Sequence, residues 1–283
     1  FKIATLYRDL NTLQQKGFII TTEDNTTPTP GGRPSSFYAI NPTVCYMFGI
    51  LLFRDHFAIG ITDACGTILS QISSPIHEGI TPEKFVSDVF RLYQMILEKT
   101  EIDEIQILGM GIGAVGPLDV SKGRILNPYL FKGKNWIDVS LVSLLEKRFR
   151  KPVMMDYLAK TAVLGEYWHI YSGSFKNMAY VTISSGIGCG VIASGEVIRG
   201  HTQIVDGLGH MVVEVTNSGR KCSCGQTGCL ETYVAIPAII QDTEKILADK
   251  INKSLLSKYI GNLDINLICD AVEQGDEVAV KVI

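Results

Sequence analysis

The stretch from Gly209 to Glu231 constrains this chain more than any other. It carries His210, then Cys222, Cys224 and Cys229 in the spacing C-x-C-x4-C, and ends on Glu231. One imidazole nitrogen and three thiolates complete a tetrahedral shell, which suits a closed structural zinc site rather than an open catalytic one. Gly219, Gly225 and Gly228 supply the tight bends such a loop needs. A local disulfide or a group of buried thiols is the competing reading. It leaves His210 and the glycine spacing without a role.

The rest of the chain sets that loop in an ordinary globular context. At 283 residues it exceeds what one core usually serves, so two or three domains are expected. Its 46 % hydrophobic and 19 % charged residues fit a soluble protein, and a net charge of −3 gives no global attraction to nucleic acid. No apolar run is long enough to span a membrane and no signal peptide opens the chain, so a cytoplasmic location is expected. Cys45, Cys65, Cys189 and Cys269 stand singly and read as reduced core residues of a cytoplasmic protein. Phe1 opens the sequence without a methionine and Ile283 stops within what reads as a helix, so the chain reads as part of a longer one.

Residues 1–40 form a separate head. Leu6, Leu10 and Leu13 make the stripe of an amphipathic helix from Thr5 to Lys16, with Thr5 able to cap it and Gly17 to end it. Short strands are expected over 18–21 and 35–40, either side of a turn-rich run. A helix feeding a hairpin is the second half of a winged helix. On that reading Thr5, Tyr7 and Arg8 face double-stranded DNA, and Arg33 sits on the wing tip between Pro28 and Pro34. A helix and hairpin that only dock on the next domain is the alternative, because the head holds four Lys/Arg against three Asp/Glu.

An α/β body follows, expected as a first lobe over 41–133 and a second over 134–283. Strands are predicted over 45–52, 56–62, 68–73, 105–112, 153–156, 178–183 and 191–193. Helices are predicted over 81–98, 139–149, 159–167, 232–249 and 263–282. Gly113 to Pro117 makes a sharp loop at a strand end, where open sheets bind ligands. The run Ser184 to Gly190 alternates glycines at 186, 188 and 190, and reads as a phosphate-approaching nest or as a plain turn between close-packed strands. Two glycine-bearing lobes suggest a cleft for a small molecule.

These features together resemble the ROK family of repressors, open reading frames and sugar kinases. The matches are Gly31-Gly-Arg-Pro34, Gly111-Ile-Gly113 with Gly116-Pro-Leu-Asp119, Asn127 with Trp136, Leu164-Gly-Glu166, Gly186-Ile-Gly188, and above all Gly209-His210 with Cys222-Ser-Cys-Gly-Gln-Thr-Gly-Cys-Leu-Glu231. The resemblance implies an actin/hexokinase-like two-lobed α/β body with a structural zinc loop, preceded here by a partial winged helix. It also implies a homodimer or homotetramer on a two-fold operator, with last helices beyond Ile283 that return to the first lobe.

The departures from that pattern decide the expected function. Kinases of the family resemble D-x-G-G-T on the first hairpin, whereas here Leu51 stands for the acid and Phe53 and Arg54 crowd the turn. Where the kinases carry Asn-Asp, with the Asp as general base, this chain has Tyr157 and Leu158, and leucine accepts no proton. Asp156 would need a local slip to substitute. The sugar-clasping Glu of E-x-G-H is Gly207. Candidate effector-binding residues are therefore Asn127, Asp206, His210 and Glu231, with Gly186 and Gly188 as a residual phosphate loop. The expected function is a DNA-binding transcriptional regulator, in all expectation a repressor of carbohydrate-related genes, that senses a sugar or phosphosugar and has no catalytic residue and no ATP requirement. An ATP-dependent, glucokinase-like carbohydrate kinase and a non-binding scaffold are the alternatives.

Overall fold

The computed structural model describes residues 3–22, 37–171, 173–199, 207–216, 218–249 and 253–283. Helix α1, Ile3–Gln15, opens the head. It begins before Thr5, so Thr5 lies within the helix and does not cap it. Gly17, at φ +76°, turns the chain out of α1 as only a residue without Cβ does at little cost. The hairpin β1 (Ile19–Thr22) and β2 (Phe37–Ile40) pairs antiparallel, Ile19 opposite Ile40. No residue of α1 is buried, and Ile3, Leu6, Tyr7 and Leu13 remain exposed.

Asn41 ties head to body. Its amide donates to the Gly17 carbonyl at 2.8 Å while its side-chain oxygen accepts from the Thr43 amide, capping a 3-10 turn that opens on Pro42.

The body's first sheet is built from β3 (Tyr46–Leu52), β4 (His56–Asp63), β5 (Ile68–Pro75), β6 (Ile107–Ala114) and β9 (Val153–Tyr157), in the order β5-β4-β3-β6-β9. The meander β3–β5 is antiparallel, and β6 and β9 are added parallel. Strict alternation puts Tyr46, Phe48, Ile50 and Leu52 on the buried face. Helix α2 (Pro82–Thr100) covers that face with Phe85, Val89, Leu92 and Ile96. Thr81 caps it and Pro82 occupies its first turn, where a missing N–H does no harm. Two short strands, β7 (Leu118–Asp119) and β8 (Arg124–Ile125), precede helix α3 (Leu141–Phe149), which joins the same core. That core runs to Tyr157. The expected division at 133/134 is therefore misplaced, because β9 has to cross back to complete the first sheet before the second lobe begins.

Helix α4 (Leu158–Gly165) leads into the second lobe and continues as a π-helical turn to Ile170. It packs on β10 (Met178–Ile183), β11 (Ile187–Ala193) and β12 (Glu196–Val197), an antiparallel three-stranded sheet, through Val163, Tyr167 and Ile192. Strand β11 begins earlier than expected, so Gly188 and Gly190 are strand residues opposite Thr182 and Tyr180. A Cβ on Gly190 would stand 2.1 Å from the Ala159 carbonyl oxygen, and close packing of α4 on the sheet explains that glycine.

Among the described residues the chain ends in the α-helices α5 (Glu231–Val234), α6 (Ile236–Ala248), α7 (Ile265–Glu273) and α8 (Glu277–Val282), with a 3-10 helix, Leu255–Tyr259, between α6 and α7. Each of the two long helices expected here is broken. Ala235 is extended before Pro237, and Gly275 takes φ +75° before Asp276 caps α8. Leu247, Leu256, Ile268 and Val278 give these helices a small core of their own. Among the described residues no helix is long and apolar enough to cross a membrane.

Candidate functional site: a Cys/His centre beside a two-lobed cleft

The chain after Gly207 assembles the predicted metal ligands from both ends of one loop. A 3-10 turn, Gly207–His210, presents the histidine, and the bridges Val212 to Cys229 and Lys221 to Thr227 bring the cysteines back to it. The Cys222 amide donates to Gln226 and the Gly225 amide to Cys222, which closes the knuckle around Cys224. Gly228 is obligatory here: it holds φ +81°, and a Cβ would stand 1.9 Å from the Glu214 carbonyl oxygen.

The ligand atoms of His210, Cys222, Cys224 and Cys229 all lie within 4.8 Å of one another. Cys224 Sγ and Cys229 Sγ are 3.8 Å apart and His210 Nδ1 is 3.5 Å from Cys222 Sγ. A disulfide needs about 2.0 Å between sulfurs. A tetrahedron with metal–sulfur bonds of about 2.3 Å has edges of about 3.8 Å. The donor set and its spacing thus fit a closed metal site. Burial pushes the Cys222 thiol up to about 12, with the neighbouring Glu231 carboxylate adding to the rise. Burial likewise raises the Cys229 thiol. An ion bound here has to displace these protons, which makes its affinity depend on pH.

The other cysteines depart from expectation. Cys65 and Cys269 are exposed and Cys45 and Cys189 only half-buried, so none of the four is a core residue, and none is in a disulfide.

Glu231 opens α5 directly behind the centre. Its Oε1 accepts from Cys222 at 3.1 Å and lies 3.5 Å from His210 Nδ1. It also lines a cavity of about 890 Å³ with Leu130, Ser185, Arg220 and Thr232. His210 and Glu231 are therefore brought together. Asn127 is exposed and does not line that cavity, and Asp206 lies outside the described residues. Trp136 is a core residue, its indole N–H bonded to the Ile80 carbonyl.

Leu158, which the resemblance sets at the kinases' base position, starts α4 and lines a pocket of about 80 Å³. Asp156 is buried and engaged elsewhere. Its Oδ1 accepts from the Tyr157 amide at 2.8 Å, Arg199 holds its Oδ2 at 3.1 Å, and Lys160, itself buried, lies 4.0 Å away. Arg199 and Lys160 carried no readable signal in the sequence, since Arg199 is 43 residues from Asp156 and Lys160 lies across the junction of β9 and α4. Leu51 packs towards Gly113, 3.1 Å from where a Cβ would stand. Gly186 sits on the β10–β11 turn against the guanidinium of Arg54, while Gly188 is fixed in the ladder.

In the head, Thr5 is half-buried, Tyr7 and Arg8 are exposed, and Arg8 lies 3.4 Å from Asp9. Arg33 lies outside the described residues.

Comparison with known proteins agrees with this architecture. The model of the ROK family matches residues 47–283. The xylose repressor of Caldicellulosiruptor bescii is 25 % identical over 276 residues, 97 % of this chain and 67 % of the repressor. The glucokinase of Thermotoga maritima is 30 % identical over 243 residues, 83 % of this chain and 72 % of the enzyme. Among solved structures, a ROK family transcriptional regulator described as a homologue of the E. coli MLC protein superposes with a TM-score of 0.76 at 22 % identity, covering 99 % of this chain and 68 % of the regulator. The family model spans well over half of the chain, and the chain belongs to the ROK family.

Proposed function

We propose that this chain is part of a DNA-binding, sugar-responsive transcriptional repressor whose sugar-kinase-like cleft senses a ligand instead of phosphorylating it. One observation carries the reading. The family model starts at residue 47, past the head, and the glucokinase match spans 83 % of the chain, whereas the xylose repressor match spans 97 % and so takes in the helix and hairpin. The head is what the repressor shares with this chain.

The cleft is consistent with that role. Leu158 and Leu51 supply neither base nor metal-binding carboxylate, and Asp156 is held by Arg199 in a bidentate-capable pair, which leaves it poorly placed to take a proton from a sugar hydroxyl. Zinc is the ion we assign to His210, Cys222, Cys224 and Cys229, in a structural role that fixes the loop bearing His210 and Glu231. The head acts as a partial winged helix with Tyr7 and Arg8 towards the duplex, Thr5 at its margin and Arg33 on the wing. The working state is a dimer or tetramer, as a two-fold operator requires.

The test is binding of the full-length protein to a duplex from its own upstream region. Arg8→Ala is expected to weaken binding while circular dichroism shows the body still folded. Unchanged affinity in that variant, or no preference for the upstream duplex over scrambled sequence, contradicts the reading.

A further inference from the structure

We infer that Arg220 is a positioning residue that couples the Cys/His loop to α5 and α6, and so holds Glu231 against the cavity it lines; this rests on the sugar-sensing reading above. Arg220 stands two residues before Cys222, and its backbone carbonyl accepts from the Gly228 amide, which fixes it to the loop. Its backbone amide donates to the Tyr233 hydroxyl at 3.0 Å, its Nη1 to the Thr232 carbonyl at 2.9 Å and its Nη2 to Asp242 Oδ2 at 2.7 Å. The guanidinium also lies over the Tyr233 ring, 4.6 Å from its centroid. One residue therefore spans the loop, α5 and the middle of α6, across the break at Ala235.

Helix α5 has four residues, too few to persist by itself. The loop supports it instead. Thr232 donates through both its amide and its hydroxyl to the Cys229 carbonyl, while Arg220 donates to the Thr232 carbonyl and the Tyr233 hydroxyl. None of these bonds needs a thiol proton, so all of them survive when the cysteines bind a metal as thiolates. A metal that fixes the cysteines thus fixes α5, and Arg220 passes the constraint on to α6.

An arginine suits this place for a geometric reason. Its two Nη atoms hold a carbonyl and a carboxylate on different helices while its flat face covers Tyr233, which the single ammonium of a lysine does not reproduce. Lys245 also reaches Asp242, at 3.3 Å, but from within α6, and so joins no two elements. Arg220, Glu231 and Thr232 line the cavity of about 890 Å³ together with Ala238 and Gln241 of α6. The elements that Arg220 joins are therefore walls of one space. A ligand that engages Glu231 displaces α5, and the Arg220 fork carries that displacement to α6 and to the metal loop.

The experiment is amide hydrogen exchange, read by mass spectrometry, on the full-length protein, on Arg220→Gln and on Asp242→Asn, each with zinc and after its removal by a chelator. Both variants keep the four metal ligands, and elemental analysis should still give about one zinc per chain. Zinc removal from the parent is expected to speed exchange over residues 231–243 by about tenfold or more. Zinc-loaded Arg220→Gln is expected to show that speed in both helices with residues 222–229 still protected, and Asp242→Asn to show it in α6 alone. In neither variant should zinc removal speed α6 further by more than about twofold. Exchange of α6 that ignores zinc in the parent, or that is as slow in zinc-loaded Arg220→Gln as in the parent, overturns the inference, as does a parent that holds no zinc. Acceleration that spreads through the first lobe in Arg220→Gln also overturns it, because the residue then supports the whole fold. A parent with the expected exchange pattern that neither D-xylose nor D-glucose releases from its duplex supports the coupling and counts against the sensor reading.

Discussion

At the scale of single residues, the cleft is defined by what each side chain can do with a proton or a charge. On the proposed reading, a leucine at 158 leaves phosphoryl transfer without the general base that typically contributes about 10²–10⁴-fold. Coupled ADP release with hexoses and N-acetylhexosamines is expected to match the no-enzyme blank. Leu158→Asp alone is expected to restore nothing, because Leu51 and Gly207 remain; turnover of roughly 1 s⁻¹ by the parent, within the ordinary enzyme range, would refute this. Asp276 gives a second prediction. Burial pushes its carboxyl up, but the amides of Ala279, Leu255 and Val278 and the Ser254 hydroxyl outweigh that and hold it below the usual carboxylate range. A depressed folded value contributes stability above the unfolded carboxylate range of about 3.9, and loses it as pH falls through the folded value. Asp276→Asn should therefore cost about 0.5–2 kcal/mol at pH 7, with the deficit shrinking on acidification below about pH 4. Thermal melts of both proteins from pH 3 to 7 measure this; a deficit that is constant with pH would refute it.

At the scale of elements, the Cys/His loop leaves its apolar side chains Met211, Val212, Val213 and Val215 exposed and is held by two isolated bridges and a set of backbone bonds. Metal removal should therefore unfold it locally and disturb Glu231, which leans on Cys222. Protein purified without added metal is expected to hold about one zinc per chain, and Cys229→Ser to lose most of it. No bound zinc with paired, oxidised thiols would contradict this. The ligand spacing was the most legible part of the sequence, because soft donors at fixed intervals have few other uses. The glycine run was less legible. Alternating glycines look alike whether they wrap a phosphate or let a helix approach a strand, and only packing shows that Gly190 serves Ala159 while Gly186 serves Arg54. The broken C-terminal helices were missed for a related reason: one stripe of apolar residues continues across Pro237 and across Gly275, and periodicity does not register the break.

At the scale of the whole molecule, the two-lobed α/β body was legible from its alternating strand and helix patterns, but the lobe boundary was not. Strand β9 lies about forty residues beyond its neighbour β6 in the sheet, and such a crossover leaves no local trace. The head is the element whose role depends most on partners. Its helix buries nothing and Tyr7 and Arg8 face outward, so Arg8→Ala is expected to cost about 1–3 kcal/mol of DNA binding if Arg8 reads a base. Light scattering of the full-length protein should give an even number of chains; a monomer at working concentration would refute the two-fold mode of binding. The most direct measurement of the central claim is fluorescence anisotropy of a labelled upstream duplex bound by the full-length protein, titrated with sugars and phosphosugars in the absence of ATP. The account predicts specific binding, with an affinity of about 10⁻⁸–10⁻¹¹ M at physiological salt, that at least one of these ligands releases without nucleotide. Binding no tighter than to scrambled duplex, or release that occurs only with ATP and sugar turnover, would contradict it.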